Sequence, residues 1–298
     1  MKSKYGIVAN LYFLEPQICE TIGADYKKRK FDGIILNGNF TQRHEEKNKL
    51  IYDRYSAKII EALAKSNLEI FVKPGVLETA QHKEIMKELT KKYSNIIDTT
   101  KMPLIEKKDH ELVFLPGYLT EEKTQHIYYT HRIKDMQDIT DKIKNPEKAI
   151  IFSQNPPLFK TSNAVDYLKM WEIQEELEFY NPITKETHFL EAGTRVPEGL
   201  IYLVQTKKEL IPHFGNEGNE LLSIIYKHKG IKKLIVNFEE IKGIFHDWKE
   251  QTIRPYATSN ELIANATGHN EFIQTEIFLK DEEISYSQKN YQGAHKLN

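Results

Sequence analysis

GIILNGNF (33–40) and EIFVKPGVLE (69–78) set the reading of this chain. Each is a short run of β-branched and aromatic residues with no polar alternation, closed by a Gly or Pro-Gly turn. Uninterrupted apolar runs of this length suit strands covered on both faces, as in a parallel sheet. Between them, NKLIYDRYSAKIIEALAK (48–65) spaces Leu50, Ile51, Tyr55, Ile59, Ala62 and Leu63 along one stripe of a helix. Strand, helix, strand is a βαβ unit, and the rest of the chain repeats the pattern.

Working outward, strands are predicted at 5–13, 111–117, 148–154, 200–205, 232–238, 261–266 and 275–281, and helices at 79–93 and 217–229. Asn219 or Glu217 is the expected cap of the last helix. The rhythm fails between Pro157 and Gly218, where LKMWEIQEELEFYNPITKETHFLEA (168–192) is rich in aromatics. NPIT (181–184) there reads as a hairpin turn. The resulting expectation is an α/β sandwich of two mixed sheets with helices outside. It forms one domain over 1–286, with a hairpin/helix insertion at about 158–216 and a polar tail over 287–298.

Composition narrows the class and leaves the chemistry open. The 298 residues include 42 Lys+Arg against 43 Asp+Glu, a net charge of −1, so nothing in bulk charge favours nucleic acid. Cys19 is the one cysteine, which rules out a disulfide framework and makes a cytoplasmic setting the expected one. No apolar run nears the roughly 20 residues that span a bilayer, so no membrane partner is expected. Asn10 interrupts the first apolar run and no small-residue cleavage site follows, which argues against a signal peptide.

The turns at strand ends carry more. In order they read VANLYF (8–13), LNGNF (36–40), KPGVLE (73–78), FSQNPP (152–157), GNEGNELL (215–222), VNFEEIKG (236–243) and ANATG (264–268). Their order and spacing resemble the calcineurin-like metallophosphoesterases of compact archaeal type, over about residues 4–286. There the same places read SDxH, GD, PGNHE, SHxPP, a glycine-rich helix start, GHxHE and NPG. The resemblance implies a four-layer α-β-β-α sandwich. It also implies a site where two metal ions about 3.5–4 Å apart clamp a phosphoryl group and activate water.

Position by position, the resemblance implies that the metal ligands have been replaced. The first-motif Asp and His fall on Asn10 and Tyr12, and the bridging Asp falls on Asn39. The third-motif Asn and His fall on Val76 and Leu77, the fourth-motif His on Gln154, and the last two His on Phe238 and Glu240. Aliphatic and aromatic side chains cannot stand in for imidazole or carboxylate, and neutral carboxamides bring no charge to offset two cations. The residues that shape the turns remain: Gly38, Pro74, Gly75, Pro156, Pro157, Gly218, Gly243, Asn265 and Gly268. No metal and no cofactor are therefore expected, and the implied function is that of a catalytically inactive phosphoesterase serving as a binding or assembly module.

Two rival readings stay open: a phosphoesterase with a relocated metal site, and a nucleotide or nucleic-acid binding module. The first would draw on His44, Glu78, Glu239, Glu240, His246 and His269; against it, HDW (246–248) also suits a solvated strand end. The second would use YKKRK (26–30), KKY (91–93) and YKHKGIKK (226–233), clusters that equally suit solvated helix ends. Asn10, Asn39 and Gln154 either line a pocket or satisfy strand-end backbone groups. Trp171, Phe179, Tyr180 and Phe189 are the candidate partner-binding residues, for a protein partner, or else the small core of the insertion.

Overall fold

A computed structural model describes residues 3–9, 15–39, 49–75, 78, 80–119, 129–162, 164–181, 186–197, 210–216, 218–237, 244–265 and 273–290. The first third is β1 (Ser3–Val8), α1 (Pro16–Lys28), β2 (Gly33–Asn37), α2 (Lys49–Ala64), β3 (Glu69–Lys73), α3 (Ala80–Lys92) and β4 (Ile96–Asp98). These four strands pair in parallel, as the unbroken apolar runs predict. The second group is β5 (Leu104–Glu106), β6 (Glu111–Phe114), the short parallel pair β7 (Tyr118–Leu119) and β8 (Thr130–His131), α4 (Ile133–Thr140) and β9 (Ala149–Ser153).

Five strands follow: β10 (Tyr167–Ile173), β11 (Leu177–Asn181), β12 (Glu186–Leu190), β13 (Arg195–Pro197) and β14 (Leu210–Asn216). The chain closes with α5 (Glu220–Lys229), β15 (Lys233–Val236), β16 (Phe245–His246), β17 (Leu262–Asn265), β18 (Ile273–Lys280) and β19 (Glu283–Asn290). Two six-stranded mixed sheets result, in the orders β19-β18-β1-β2-β3-β4 and β16-β17-β15-β9-β6-β5.

Side-chain alternation sorts the core into layers. In β2, Ile34 and Leu36 pack with Ile22, Ile59 and Leu63 of the helices, while Ile35 turns the other way. Ile35 joins Tyr5, Ile7 and Phe71 of its own sheet and Leu112, Phe114, Phe152 and Ile235 of the second sheet in one shared core. Val113, Ile151 and Leu234 face away from that core and pack with Met136 of α4 and Leu222 and Tyr226 of α5. The architecture is an α/β sandwich, two mixed sheets face to face with helices against their outer faces.

Several expectations are met closely. α2, α3 and α5 fall on the predicted stretches, and Asn219 caps α5 by accepting the Leu222 N–H at 3.0 Å. NPIT does separate two paired strands, β11 and β12, in register from Leu177↔Leu190 to Asn181↔Glu186. Glu217 and the strand expected at 200–205 lie outside the described residues.

Others are corrected. The insertion is a three-stranded sheet, β13-β10-β14, beside the β11-β12 hairpin, with no helix among its described residues. The tail does not begin at Ser287, because β19 runs to Asn290 in full register with β18. Its polarity misled: Ser287 is buried with its hydroxyl donating to Glu276 at 2.8 Å, and Lys289 pairs with Asp25 at 2.7 Å.

The root of the insertion is held by a buried carboxylate. Asp166 accepts from the Phe159 N–H at 2.9 Å, the Gly218 N–H at 3.2 Å and Asn216 Nδ2 at 2.9 Å. Gly218 can be nothing larger, since a Cβ there would stand 2.2 Å from the Pro157 carbonyl oxygen. Asp166→Ala strands these donors, that of Phe159 buried and the other two partly buried, and is expected to cost about 3 kcal/mol. Urea denaturation measures the loss, and protection of the β10 and β14 amides from hydrogen exchange should fall before that of β9.

Candidate functional site

Two strands, β2 and β3, end in a polar residue that keeps step with the shared core, and β9 and β15 are each followed directly by one. Asn37 stands two residues past Ile35, Lys73 two past Phe71, Gln154 two past Phe152 and Asn237 two past Ile235. With a period of two, each takes the side of its strand that faces the other sheet. All four are buried. A polar layer thus closes one end of the inter-sheet core, where the family resemblance would put the metal ions.

The loops leaving β2 and β3 lock against each other. Gly38 (φ +84°) and Asn39 (φ +58°) are both left-handed, a conformation that suits Gly and is tolerated by Asn. A Cβ on Gly38 would stand 2.9 Å from the Gly75 Cα, so the two turns are in backbone contact. Buried Glu78 binds both, accepting the Asn39 N–H at 3.2 Å and the Gly75 N–H. Across the sheets, Asn237 Nδ2 donates to the Asn37 carbonyl at 2.7 Å and ties the second sheet to the first. Within the second sheet, Gln154 Nε2 donates to the Asn237 carbonyl.

Lys73 is the charged group inside the layer. It is fully buried and its Nζ has no hydrogen-bond partner among the described residues. Burial pushes its pKa down to about 7, against the attraction of Glu78. His131 is buried too; its Nδ1 donates to the Pro116 carbonyl at 2.9 Å. Desolvation first, and Lys73 among the smaller influences, bring its pKa down to about 4, so it stays neutral at neutral pH. His82 is held at about 4 as well, by burial.

Of the residues expected here, Asn39 and Gln154 are brought together: a Cβ on Gly75 would meet Asn39 Oδ1 at 2.3 Å and Gln154 Oε1 at 3.0 Å. Gln154 does satisfy a backbone group, as one of the two readings held, yet its Oε1 is left without a partner among the described residues. Asn10, Tyr12, Val76, Leu77, Phe238 and Glu240 lie outside the described residues, as do His44, Glu239 and His269. Asn37, Lys73, Asn237 and His131 were not singled out in the sequence. The signal was present for three of them: a polar residue two places beyond an inward-facing apolar one, at the end of each run.

The solvated strand end expected at HDW is corrected. His246 is buried, with Nε2 accepting the Val165 N–H at 3.1 Å and Nδ1 donating to the Asp247 carbonyl at 2.7 Å. Both ring nitrogens are therefore engaged and neither is open to a metal. Among the described residues, no three His, Cys, Asp or Glu side chains gather as a metal-holding group.

The basic clusters are partly occupied. Arg29 pairs with Glu276, Lys92 with Glu61, Lys229 with Asp141 and Lys232 with Glu147, while Tyr26 is buried and bonded to Gln274. Lys233 is buried and donates to the Glu147 carbonyl. The aromatic candidates divide between two elements. Trp171 is on β10, the middle strand of the insertion sheet, opposite Val196 and Pro212. Phe179 and Tyr180 are on β11 and Phe189 on β12, where Phe189 is 64% exposed. Among the described residues, no helix is long and apolar enough to cross a membrane.

No protein-family model matches the sequence, and no curated protein matches it. The fold, however, is shared along the chain's length with solved structures. One crystal structure superposes over 97% of this chain and 99% of its own, with a TM-score of 0.57 at 13% identity. The protein TT1561 of Thermus thermophilus does so over the same shares, with a TM-score of 0.53 at 9% identity. At such identities the likeness is one of fold alone.

Proposed function

We propose that this chain is a calcineurin-like phosphoesterase by descent, a four-layer α-β-β-α sandwich whose metal centre has been lost. On this reading it works as a binding or assembly module. The observation that carries the reading is the strand-end layer of Asn37, Lys73, Gln154 and Asn237. Two divalent cations need carboxylates and imidazoles around them. Here the layer offers neutral carboxamides and a buried ammonium, and the carboxylate of Glu78 is taken by backbone N–H groups of both loops. These residues do not fit a two-metal centre. The sequence adds Tyr12, Val76, Leu77 and Phe238 where the family carries ligands.

A fold kept without its chemistry is kept for a surface. The insertion is the proposed surface for a protein partner, with exposed Phe189 on its hairpin an aromatic anchor of the kind that dominates interfaces.

The test is elemental analysis of untagged protein dialysed against manganese and zinc, with hydrolysis of a chromogenic phosphodiester measured in parallel. Well under one ion per chain and no turnover are expected, and Asn39→Asp should restore neither. One or more tightly held ions, lost together with hydrolysis in Glu240→Ala, would overturn the reading. For the surface, Phe189→Asp should abolish co-purification of a partner while leaving the melting temperature unchanged.

A further inference from the structure

α5 is apolar on two faces. Leu222 and Tyr226 turn inward and pack on the second sheet. Leu221 and Ile224 turn outward and are 45% and 56% exposed, with Ile225 half-buried beside them. The other helix packed on that sheet, α4, keeps the ordinary pattern: its exposed positions are Lys134, Gln137 and Asp138. A surface helix with one core to serve needs one apolar stripe, and a helix apolar all round belongs in an interior. Leu221, Ile224, Ile225 and exposed His228 stand at i, i+3, i+4 and i+7, so they form a second stripe two turns long, nearly opposite the first.

The charges beside this stripe point to what covers it. A turn of about 100° per residue puts Glu220 and Lys227 on one flank of the stripe and Lys229 on the other. Lys229 is paired with Asp141. Among the described residues, neither Glu220 nor Lys227 meets an opposite charge; Lys227 rests over the Trp248 ring, 5.4 Å from its centroid. A twofold axis crossing the stripe at right angles keeps each flank on its own side and exchanges the two ends. It therefore sets Glu220 of each copy beside Lys227 of the other, with Leu221 level with His228 and Ile224 beside its own counterpart. The two helix dipoles then run in opposite senses. Dipole matching within one helix accounts for an acidic first turn and a basic last turn, but it does not place both free charges on one flank.

We propose that the outer face of α5 is a contact between two copies of this chain, packed antiparallel about a twofold axis at Ile224 and Ile225. The face is on a different element from the insertion, and neither reading depends on the other. Four side chains and two ion pairs fall short of the roughly 800 Å² per partner of a standard interface, so the dimer is of the weak, micromolar class.

Sedimentation velocity of the full chain over about a hundredfold range of concentration tests this, because a dimer of this kind dissociates by mass action. A reversible monomer–dimer equilibrium is expected. Ile224→Asp sets two carboxylates face to face at the axis and should weaken it at least about tenfold, with the melting temperature of dilute protein unchanged. Cysteine crosslinking under mild oxidation reads the direction of packing, since Cys19 is buried. Ile224→Cys should form a disulfide-linked dimer by itself. Leu221→Cys and His228→Cys should each stay unlinked alone and link to each other when mixed. In the antiparallel pair these like positions are about 10 Å apart along the helix, too far for a disulfide, while the unlike ones are level.

A chain that stays monomeric over the whole range would overturn the proposal, as would a dimer untouched by Ile224→Asp. Leu221→Cys linking to itself would mean a parallel pair without the match of Glu220 to Lys227, and would overturn it too. A different protein captured by wild type and lost with Ile224→Asp, from a chain that does not self-associate, would give the face to that partner instead.

Discussion

Lys73→Met is expected to stabilise the protein at pH 7 by roughly 2–4 kcal/mol, and the gain should shrink as pH rises to 10. In the fold this lysine loses its proton near 7, whereas in the unfolded chain it holds it to about 10.4. Unfolding therefore takes up a proton between those values, and wild-type stability rises with pH across that window. Below pH 7 the ammonium is charged in both states and its burial penalty is fully present. About 1.4 kcal/mol per unit would put the whole swing near 5 kcal/mol, an upper bound that loss of the attraction to Glu78 reduces in the variant.

Urea unfolding of both proteins at pH 7, 8.5 and 10 measures the difference. Lys233 and Cys19 also titrate in or near this range, and the difference cancels them. A gap between the two proteins that stays constant with pH would refute the linkage. On the acid side both proteins should lose stability as pH falls from about 6.5 to about 4, because unfolded His82 and His131 take up protons that the fold refuses.

Arg29→Met is expected to cost about as much as Asp166→Ala, at a second place away from the strand-end layer. Glu276 is almost fully buried on β18, and Arg29, at the end of α1, grips both its oxygens, with Nη2 to Oε2 at 2.6 Å. Removing the guanidinium leaves a buried carboxylate with, among the described residues, only the Ser287 hydroxyl. Breaking a fully buried pair costs about 3–5 kcal/mol; Arg29 is a third exposed, so roughly 2–3 is expected. Arg29→Met/Glu276→Leu should recover most of that, since a well-packed apolar pair needs no partner charge. Chemical denaturation of the two variants decides: equal losses in single and double would mean that packing, and no stranded charge, carries the effect.

The frame of this fold could be read from the chain because parallel strands covered on both faces leave an unbroken apolar signature, as GIILN and EIFVK do. Strands with other neighbours hide. The end of β19 reads as a polar tail because Ser287, Gln288, Lys289 and Asn290 include no apolar residue, and only pairing with β18 explains them. α1 and α4 escaped notice: α1 opens on Pro16 without a side-chain cap, and α4 is only two turns long. At the strand ends, motif order pointed to loop residues, most of which lie outside the described residues. The buried polar groups Lys73 and Asn37 sit in the strands themselves, where a lone lysine after EIFV looks like the start of a loop. Sequence also cannot show that His246 has spent both its nitrogens, since Val165 lies 81 positions away.

The pairing of β1 with β18, Ser3↔Leu279 to Ile7↔Thr275, carries a consequence for synthesis. A ribosome releases β1 to β4 early, and these can join in parallel, but the outer edge of β1 stays open until residues 273–280 of β18 have emerged. During that interval an apolar strand rim is free to capture another nascent copy, the hazard of any unpaired edge. The β18-β19 arm, fastened through Glu276 to α1, is therefore the latch that ends this exposure. Polysomes crowded on one message, or a stall before residue 273, are where aggregation of this protein should begin.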